Sequence, residues 1–208
     1  MLVVPAALTA VVNMWNVKEL LTEHSYTPPT EKKAAGQPKE ALIRVKHTFD
    51  DGSQVGAPSL SSEPPPPPHC ALPPARSPDP HSPPTSLSAQ VTLHVMDNPT
   101  KQLGDTDGRK WGSVCAVIAQ GNAWQFKGWP KGYADETELF ARGAAQGFHV
   151  RFRDDVRNQT VKNWNIEELT LSKEQSKRHE VNVMMMSFWN TLHAFLASKK
   201  PGLLKKGH

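Results

Sequence analysis

The spacing of apolar residues changes period several times along the chain, and each change marks an element. Leu2-Val3-Val4 is a short apolar run closed by Pro5 and predicts a strand. Leu8, Val11, Val12 and Trp15 follow at helical spacing, with Leu20 and Leu21 closing the helix. Further on, Gln90–Asp97 alternates like a strand until Asn98-Pro99 stops it. A weak helix over Asp105–Trp111 leads into Val114–Ala119, an unbroken apolar run. A run of that kind belongs to a strand covered on both faces. Ala134–Gln146 reads as a helix ended by Gly147. Phe148–Arg153 puts apolar side chains on one face and His149, Arg151 and Arg153 on the other, a short basic row expected to be solvated or to face an anion. Ile166–Ser172 is a further strand. Val181, Met184, Met185, Phe188, Leu192, Phe195 and Leu196 form the apolar face of a long helix, stopped by Lys199-Lys200 and Pro201-Gly202. Met184–Met186 reads as core filler. Alternating strands and helices predict a three-layer α/β domain with a mostly parallel sheet.

Between Thr27 and Ser88 the pattern stops. Pro64–Pro68 are consecutive prolines, and most of the 19 prolines fall in this segment. Such a stretch buries too little apolar surface to offset chain entropy. It is expected to be a disordered Pro/Ser-rich insertion that folding does not require. Ala41–Phe49, as a frayed strand or short helix, is its one stretch with apolar character. Pro64–Pro68 fits a plain spacer or a ligand for a polyproline-binding groove. The expected organisation is residues 1–26 as the first strand and helix, 27–89 as insertion, 90–198 as the rest of the domain, and 199–208 as a basic tail. A core strand at the first residue points to a fragment or a truncated gene product.

At 208 residues and a formal charge of +4, the chain has room for one core and carries a mild basic excess. Cys115 lies in the apolar run and Cys70 in the proline tract, so no disulfide between them is expected and a reducing compartment fits. No apolar run reaches the ~18 residues of a membrane span. Signature chemistry is missing. The strand-to-helix turn Pro5–Ala10 has none of the glycines, nor the lysine, of a phosphate-binding loop, so GTP or ATP binding is not expected. Asp105-Thr106-Asp107-Gly108 resembles a nucleotide-site motif but reads as a turn. No histidine pairs with Cys, Asp or Glu at metal-ligand spacing. Glu167-Glu168, adjacent on a strand, point to opposite faces, which does not suit paired acid/base work.

The candidate chemistry lies after the central strand, in Gln120-Gly121-Asn122-Ala123-Trp124-Gln125-Phe126-Lys127-Gly128-Trp129-Pro130. Gly121-Asn122 suit a turn, and three large rings follow it closely. Each ring fits either a core plug or a surface anchor, with at least one expected at the surface. This string resembles the signature of the parafibromin C-terminal domain family, a subunit of the RNA polymerase II-associated factor complex. Further matches fall in order: Pro5-Ala6-Ala7, Asn16–Leu21, Asp97-Asn98-Pro99, Lys162-Asn163-Trp164 and Phe188-Trp189. The resemblance covers about residues 1–24 and 90–198. It implies a Ras-like fold without nucleotide-binding motifs and a non-enzymatic, nuclear role on chromatin with no cofactor. It also implies that the domain links the complex to RNA polymerase II, through phosphorylated C-terminal repeats of the polymerase or an elongation factor, beside the other subunits. Neither membrane nor direct nucleic-acid contact is expected. Trp124 and Lys127, just past the end of the central strand where open α/β sheets place their ligands, are the expected partner-binding residues, together with Gln125, Arg109 and Lys110. Relatives carry Trp-Asp-Arg before the central strand where Trp111-Gly112-Ser113 stands here, so Arg109 and Lys110 are the substitutes for the arginine. A degenerate NTPase and a nucleic-acid-binding domain are the rival readings.

Overall fold

The computed structural model describes residues 1–49, 89–104, 110–174, 177 and 179–206. The strands are β1 (Leu2–Val3), β2 (Ile43–Phe49), β3 (Ala89–Met96), β4 (Ala116–Ile118), β5 (Gln146–Phe152), β6 (Ile166–Leu171) and β7 (Lys205–Lys206). The helices are α1 (Val17–Glu23), α2 (Pro29–Ala34), α3 (Pro99–Leu103), α4 (Glu136–Ala141) and α5 (His179–Lys199). Short 3-10 turns lie at Lys110–Ser113, Ala123–Phe126, Val161–Asn163 and Pro201–Leu203.

The sheet order is β2-β3-β1-β4-β5-β6. Strands β3, β1, β4, β5 and β6 run parallel, and β2 is antiparallel to β3. This is the strand order of a Ras-like domain. One face packs on α1 and α5, through Leu20, Leu21, Phe188 and Leu192 against Leu2, Leu93, Phe148 and Leu171. The other face packs on α4 and the 3-10 turns, through Trp111, Phe126, Phe140, Val161 and Trp164. Central strands are therefore apolar on both sides, which is why Val114–Ala119 carries no polar residue.

Several expectations need correction. The helix expected from Leu8 onward begins only at Val17. Residues 5–15 form a run of turns tied by two buried asparagines. Asn13 donates its side-chain amide to the Ala7 carbonyl (3.1 Å) and accepts from the Trp15 amide (3.0 Å). Asn16 accepts from the Asn13 amide (3.0 Å) and donates to the carbonyls of Val11 (2.9 Å) and Thr27 (3.0 Å). Asparagine side chains compete with the helical ladder in this way, and apolar spacing does not reveal it.

The insertion is also shorter than the proline content implies. Residues 29–34 are helical and residues 43–49 form a strand paired over its whole length with β3, from Ile43 opposite Val95 to Phe49 opposite Ala89. Ile43, Val45 and Phe49 are core residues. The proline tract itself, with Cys70, lies outside the described residues. So does Asp105–Gly108, and the helix expected over 105–111 is seen only as the 3-10 turn opening at Lys110.

Of the row on β5 only Arg153 is solvated, with its Nη2 3.0 Å from Glu180 Oε2. His149 is buried with Nδ1 2.7 Å from the Ala119 carbonyl. Arg151 holds Glu168 of β6, with Nε 3.0 Å from Oε1, and its Nη1 donates to the carbonyls of Phe152, Arg153 and Asp155. The basic tail folds back as well. Lys205–Lys206 pairs with the start of β3, and the Nζ of Lys200 donates to the carbonyls of Gly112 (2.8 Å) and Val114 (2.6 Å). Met184 and Met185 are core, whereas Met186 is exposed.

Candidate functional site at the carboxyl ends of the strands

In an open, mostly parallel sheet, ligands are taken at the carboxyl ends of the strands. The loop after β4 lies there. It leaves the sheet at Gly121, whose φ of 89° is in the left-handed region. A Cβ at Gly121 would stand 2.2 Å from Asn158 Nδ2 and 2.9 Å from Val161 Cγ2. Both the backbone angle and the close approach therefore require glycine.

The Ala123–Phe126 turn then sorts the rings. In a 3-10 turn, three residues complete one revolution, so residues two apart cannot share a face. Phe126 is fully buried, within 5.0–5.9 Å of the rings of Trp129, Phe140 and Trp164. Trp129 is buried beside Trp111. Trp124 faces outward and is 54% exposed. Lys127 is exposed beside it, with no carboxylate partner among the described residues.

Gln125 points back into the protein. Its Oε1 accepts from the Gln120 amide (2.9 Å) and its Nε2 donates to the Ile118 carbonyl (2.8 Å). It thus serves as a clasp that rigidifies the turn carrying Trp124. Lys110 donates to the Leu103 carbonyl at 3.2 Å. Its turn meets the aromatic loop at Trp111, which packs on Trp129 and Tyr133. Arg109 lies outside the described residues. Trp124, Gln125 and Lys127 are thus brought together on one turn, and Lys110 flanks them across the aromatic cluster.

Sequence reasoning missed a cleft of about 480 Å³ at the same end of the sheet. Leu8 and Thr9 form one wall, Pro28 and Pro29 another, and Tyr26 and Phe152 meet edge to face at 5.8 Å. Lys173 sits 5.1 Å from the centre of the Phe152 ring and holds Asp155 at 2.8 Å. Burial, then the charge of Glu31, pushes the Tyr26 hydroxyl up to about 12. The cleft and the Trp124 loop meet at Thr9, which receives the side-chain amide of Gln120 at 3.4 Å. The signal in the sequence was Tyr26 followed by Pro28-Pro29, which lay astride the expected domain boundary. A larger cavity, about 560 Å³, opens between the ends of α4 and α5. It lies at the amino ends of β5 and β6, away from the position where this topology takes ligands.

Two observations bear on chemistry. Among the described residues, no three His, Cys, Asp or Glu side chains are grouped to hold a metal ion. Among them also, no helix is long and apolar enough to cross a membrane.

A family description, RNA pol II accessory factor, Cdc73 family, C-terminal, matches residues 1–195. The chain belongs to the Cdc73 family. Cell division cycle protein 73 of Caenorhabditis elegans is 25% identical over 202 residues, covering 97% of this chain and 30% of that protein. The CDC73 homolog of Arabidopsis thaliana is 28% identical over 203 residues, covering 95% and 38%. Cell division control protein 73 of Saccharomyces cerevisiae is 22% identical over 198 residues, with the same two coverages. This Cdc73-family chain thus spans about a third of the length of these relatives. A solved structure, the conserved domain of yeast Cdc73, superposes with a TM-score of 0.65 at 20% identity, covering 96% of this chain and 97% of that one. The family ties the chain to transcription as an RNA polymerase II accessory-factor domain.

Beneath this Cdc73-family rim, Glu168 joins β6 to β5. Burial pushes its carboxyl up, but the hydrogen bond from Arg151 and the charges of Arg151, Arg157 and His149 outweigh burial and hold it below the usual range. A depressed carboxylate contributes stability above its unfolded pKa and loses it as pH falls through the folded value. Stability is therefore expected to fall below about pH 4, and Glu168→Gln should flatten that acid limb. Urea melts at a series of pH values, compared between the two proteins, check this. Parallel acid limbs would show that Glu168 is not the group responsible.

Proposed function

We propose that this Cdc73-family domain is a non-enzymatic binding module that links an RNA polymerase II accessory complex to the polymerase in the nucleus, on chromatin. Its ligand is a phosphorylated, proline-containing repeat peptide of the polymerase or of an elongation factor. The observation that carries the reading is the Trp124 ring, more than half exposed on a turn clasped from behind by Gln125 and plugged by Phe126. An exposed tryptophan on a rigid support is an anchor that loses little entropy on binding. Proline-rich peptides favour aromatic surfaces because they arrive already ordered. Lys127 adds a point charge for a phosphate. The Tyr26–Phe152 cleft extends the apolar surface beyond Thr9. Gln125 holds the loop and is not assigned a ligand contact. Arg109 and Lys110 are assigned to the basic rim in place of the arginine that relatives carry. A degenerate NTPase is disfavoured by the β1–α1 link, whose asparagine side chains already take the backbone N–H groups of Asn13 and Trp15, donors of the kind a phosphate cradle uses.

Titration of the full chain with phosphorylated and unphosphorylated polymerase-repeat peptides tests the proposal. Trp124→Ala is expected to cost about 2 kcal/mol or more of binding, as hot-spot tryptophans do. Its stability should change by only about 0.5 kcal/mol, as at other surface positions. Lys127→Ala should narrow the preference for the phosphorylated peptide. Equal affinity for both peptides, unmoved by Trp124→Ala, would sink the reading.

A further inference from the structure

Helix α5 is apolar on two sides. Its inner side, with Met184, Met185, Phe188, Leu192 and Leu196, is buried against the sheet. On its outer side Val183 is 65% exposed and Met186 60%, and Asn190, Ala194 and Ala197 are exposed in line with them. With 3.6 residues to the turn, these five positions span about 80° of the helix surface, opposite the inner side. Residues 181–198 contain no Asp, Glu, Lys or Arg. A surface helix normally turns charges to solvent, and one that is largely apolar all round is normally covered. The sheet does not account for Val183 and Met186, which face away from it.

The order of residues along this outer stripe says what covers it. Asn190 is its midpoint: Met186 and Ala194 lie four residues to either side, and Val183 and Ala197 seven. Every large side chain is thus matched by a small one at the same distance from Asn190. A stripe of this kind complements itself when a second α5 lies across it antiparallel. Met186 of each copy then meets Ala194 of the other, and Val183 meets Ala197. The alanines let the helices approach closely, and the unbranched, adaptable methionine fills the gap that remains. Parallel packing would set bulk on bulk and gap on gap. Antiparallel packing also brings the basic end of one helix, at Lys199-Lys200, to the level of Glu180 at the acidic end of the other, and opposes the two helix dipoles.

We propose that the outer face of α5 docks a second copy of this chain, forming a two-fold symmetric pair of antiparallel α5 helices centred on Asn190. A two-fold interface requires that residue i contacts j while j contacts i, and the spacing about Asn190 meets that requirement. Asn190 itself lies on the axis, where the two side-chain amides, each both donor and acceptor, pair with one another. The Trp124 loop follows β4, on the face of the sheet that packs on α4, whereas α5 covers the opposite face. The pair therefore leaves both peptide sites open, and a repeat-containing partner is held at two points at once.

Sedimentation of the full chain, from micromolar to near-millimolar concentration, tests this. The expected result is a monomer–dimer equilibrium. Met186→Lys and Ala194→Glu each place a charge in the interface without a complement, and each should weaken the dimer about tenfold or more. An equimolar mixture of the two variants should associate about tenfold more tightly than either alone, because the introduced ammonium and carboxylate then face one another. Both positions are exposed, so urea melts in dilute solution should leave the fold of either variant unchanged. A monomer at every concentration, a dimer that neither variant weakens, or a mixture no tighter than its components would overturn the proposal. Oligomers that grow beyond two would overturn the closed pair. A monomer that instead binds an amphipathic leucine–lysine helical peptide, lost in Met186→Lys, would assign the face to a foreign helix.

Discussion

Replacing residues 27–88 with a short Gly/Ser linker is expected to destabilise the domain by about 5 kcal/mol or more, enough to unfold many domains of this size. The segment contains β2, which seals the edge of the sheet over Val91, Leu93 and Val95. Ile43, Val45 and Phe49 would be lost from the core, at about 1.5–3 kcal/mol for each buried side chain. The cut would also remove Lys32, a buried lysine paired with Glu19 of α1. The Thr27 carbonyl that receives the Asn16 side chain would go as well, and Asn16 is among the most deeply buried polar residues described. A second replacement, of residues 50–88 alone, keeps all of these contacts. Urea melts of the two variants side by side measure what residues 27–49 contribute. Coincident transitions would mean that β2 and α2 add nothing to stability.

Phe126→Ala should cost about 3–5 kcal/mol, the range for a buried aromatic truncated to alanine. The ring touches Trp129, Phe140 and Trp164, which come from three separate stretches of the chain. Its removal leaves a cavity bounded by rigid rings and by Val161 of the neighbouring turn, so the site has little means to collapse. Two residues earlier, Trp124→Ala removes a larger side chain at little cost to folding. The contrast separates support from surface. Peptide binding by Phe126→Ala should weaken along with stability, because the turn that presents Trp124 loses its floor. A loss of less than about 1 kcal/mol would mean that the aromatic cluster does not hold this loop. Thermal or urea denaturation of both variants gives the comparison directly.

Much of the fold was legible in one dimension. Strand β4 declared itself by an apolar run without a polar residue, because both of its faces are covered. Helix α5 declared itself by helical spacing over Val181–Leu196, bounded by cations and Pro201-Gly202. Those are local signals, fixed by period and by stop residues, and tertiary contacts had only to agree with them. The Trp-rich loop was likewise visible as the place where apolar surface and turn residues coincide.

What could not be read was the outcome of choices between equivalent local patterns. Three rings of similar character occupy positions 124, 126 and 129, and only the 3-10 turn over Ala123–Phe126 decides which one faces water. Gln125 reads as a polar surface residue and turns out to be a clasp, because the carbonyl and amide it satisfies are made available only by the end of β4. Arg151 reads as part of a basic strip and is spent on Glu168 from the neighbouring strand. Asn13 and Asn16 override the helical spacing around them through partners as distant as Thr27. Strand β2 lies beside a proline-rich tract whose composition masks it, and its pairing with β3 is what makes it a strand. The sequence by itself determined the periods, the breaks and the missing phosphate loop. Only the tertiary structure decided which polar groups are spent inside and which, like Lys127, stay exposed beside the Trp124 ring. The physical reason is that a polar group's role depends on whether folding brings it a complement, and those complements come from distant parts of the chain.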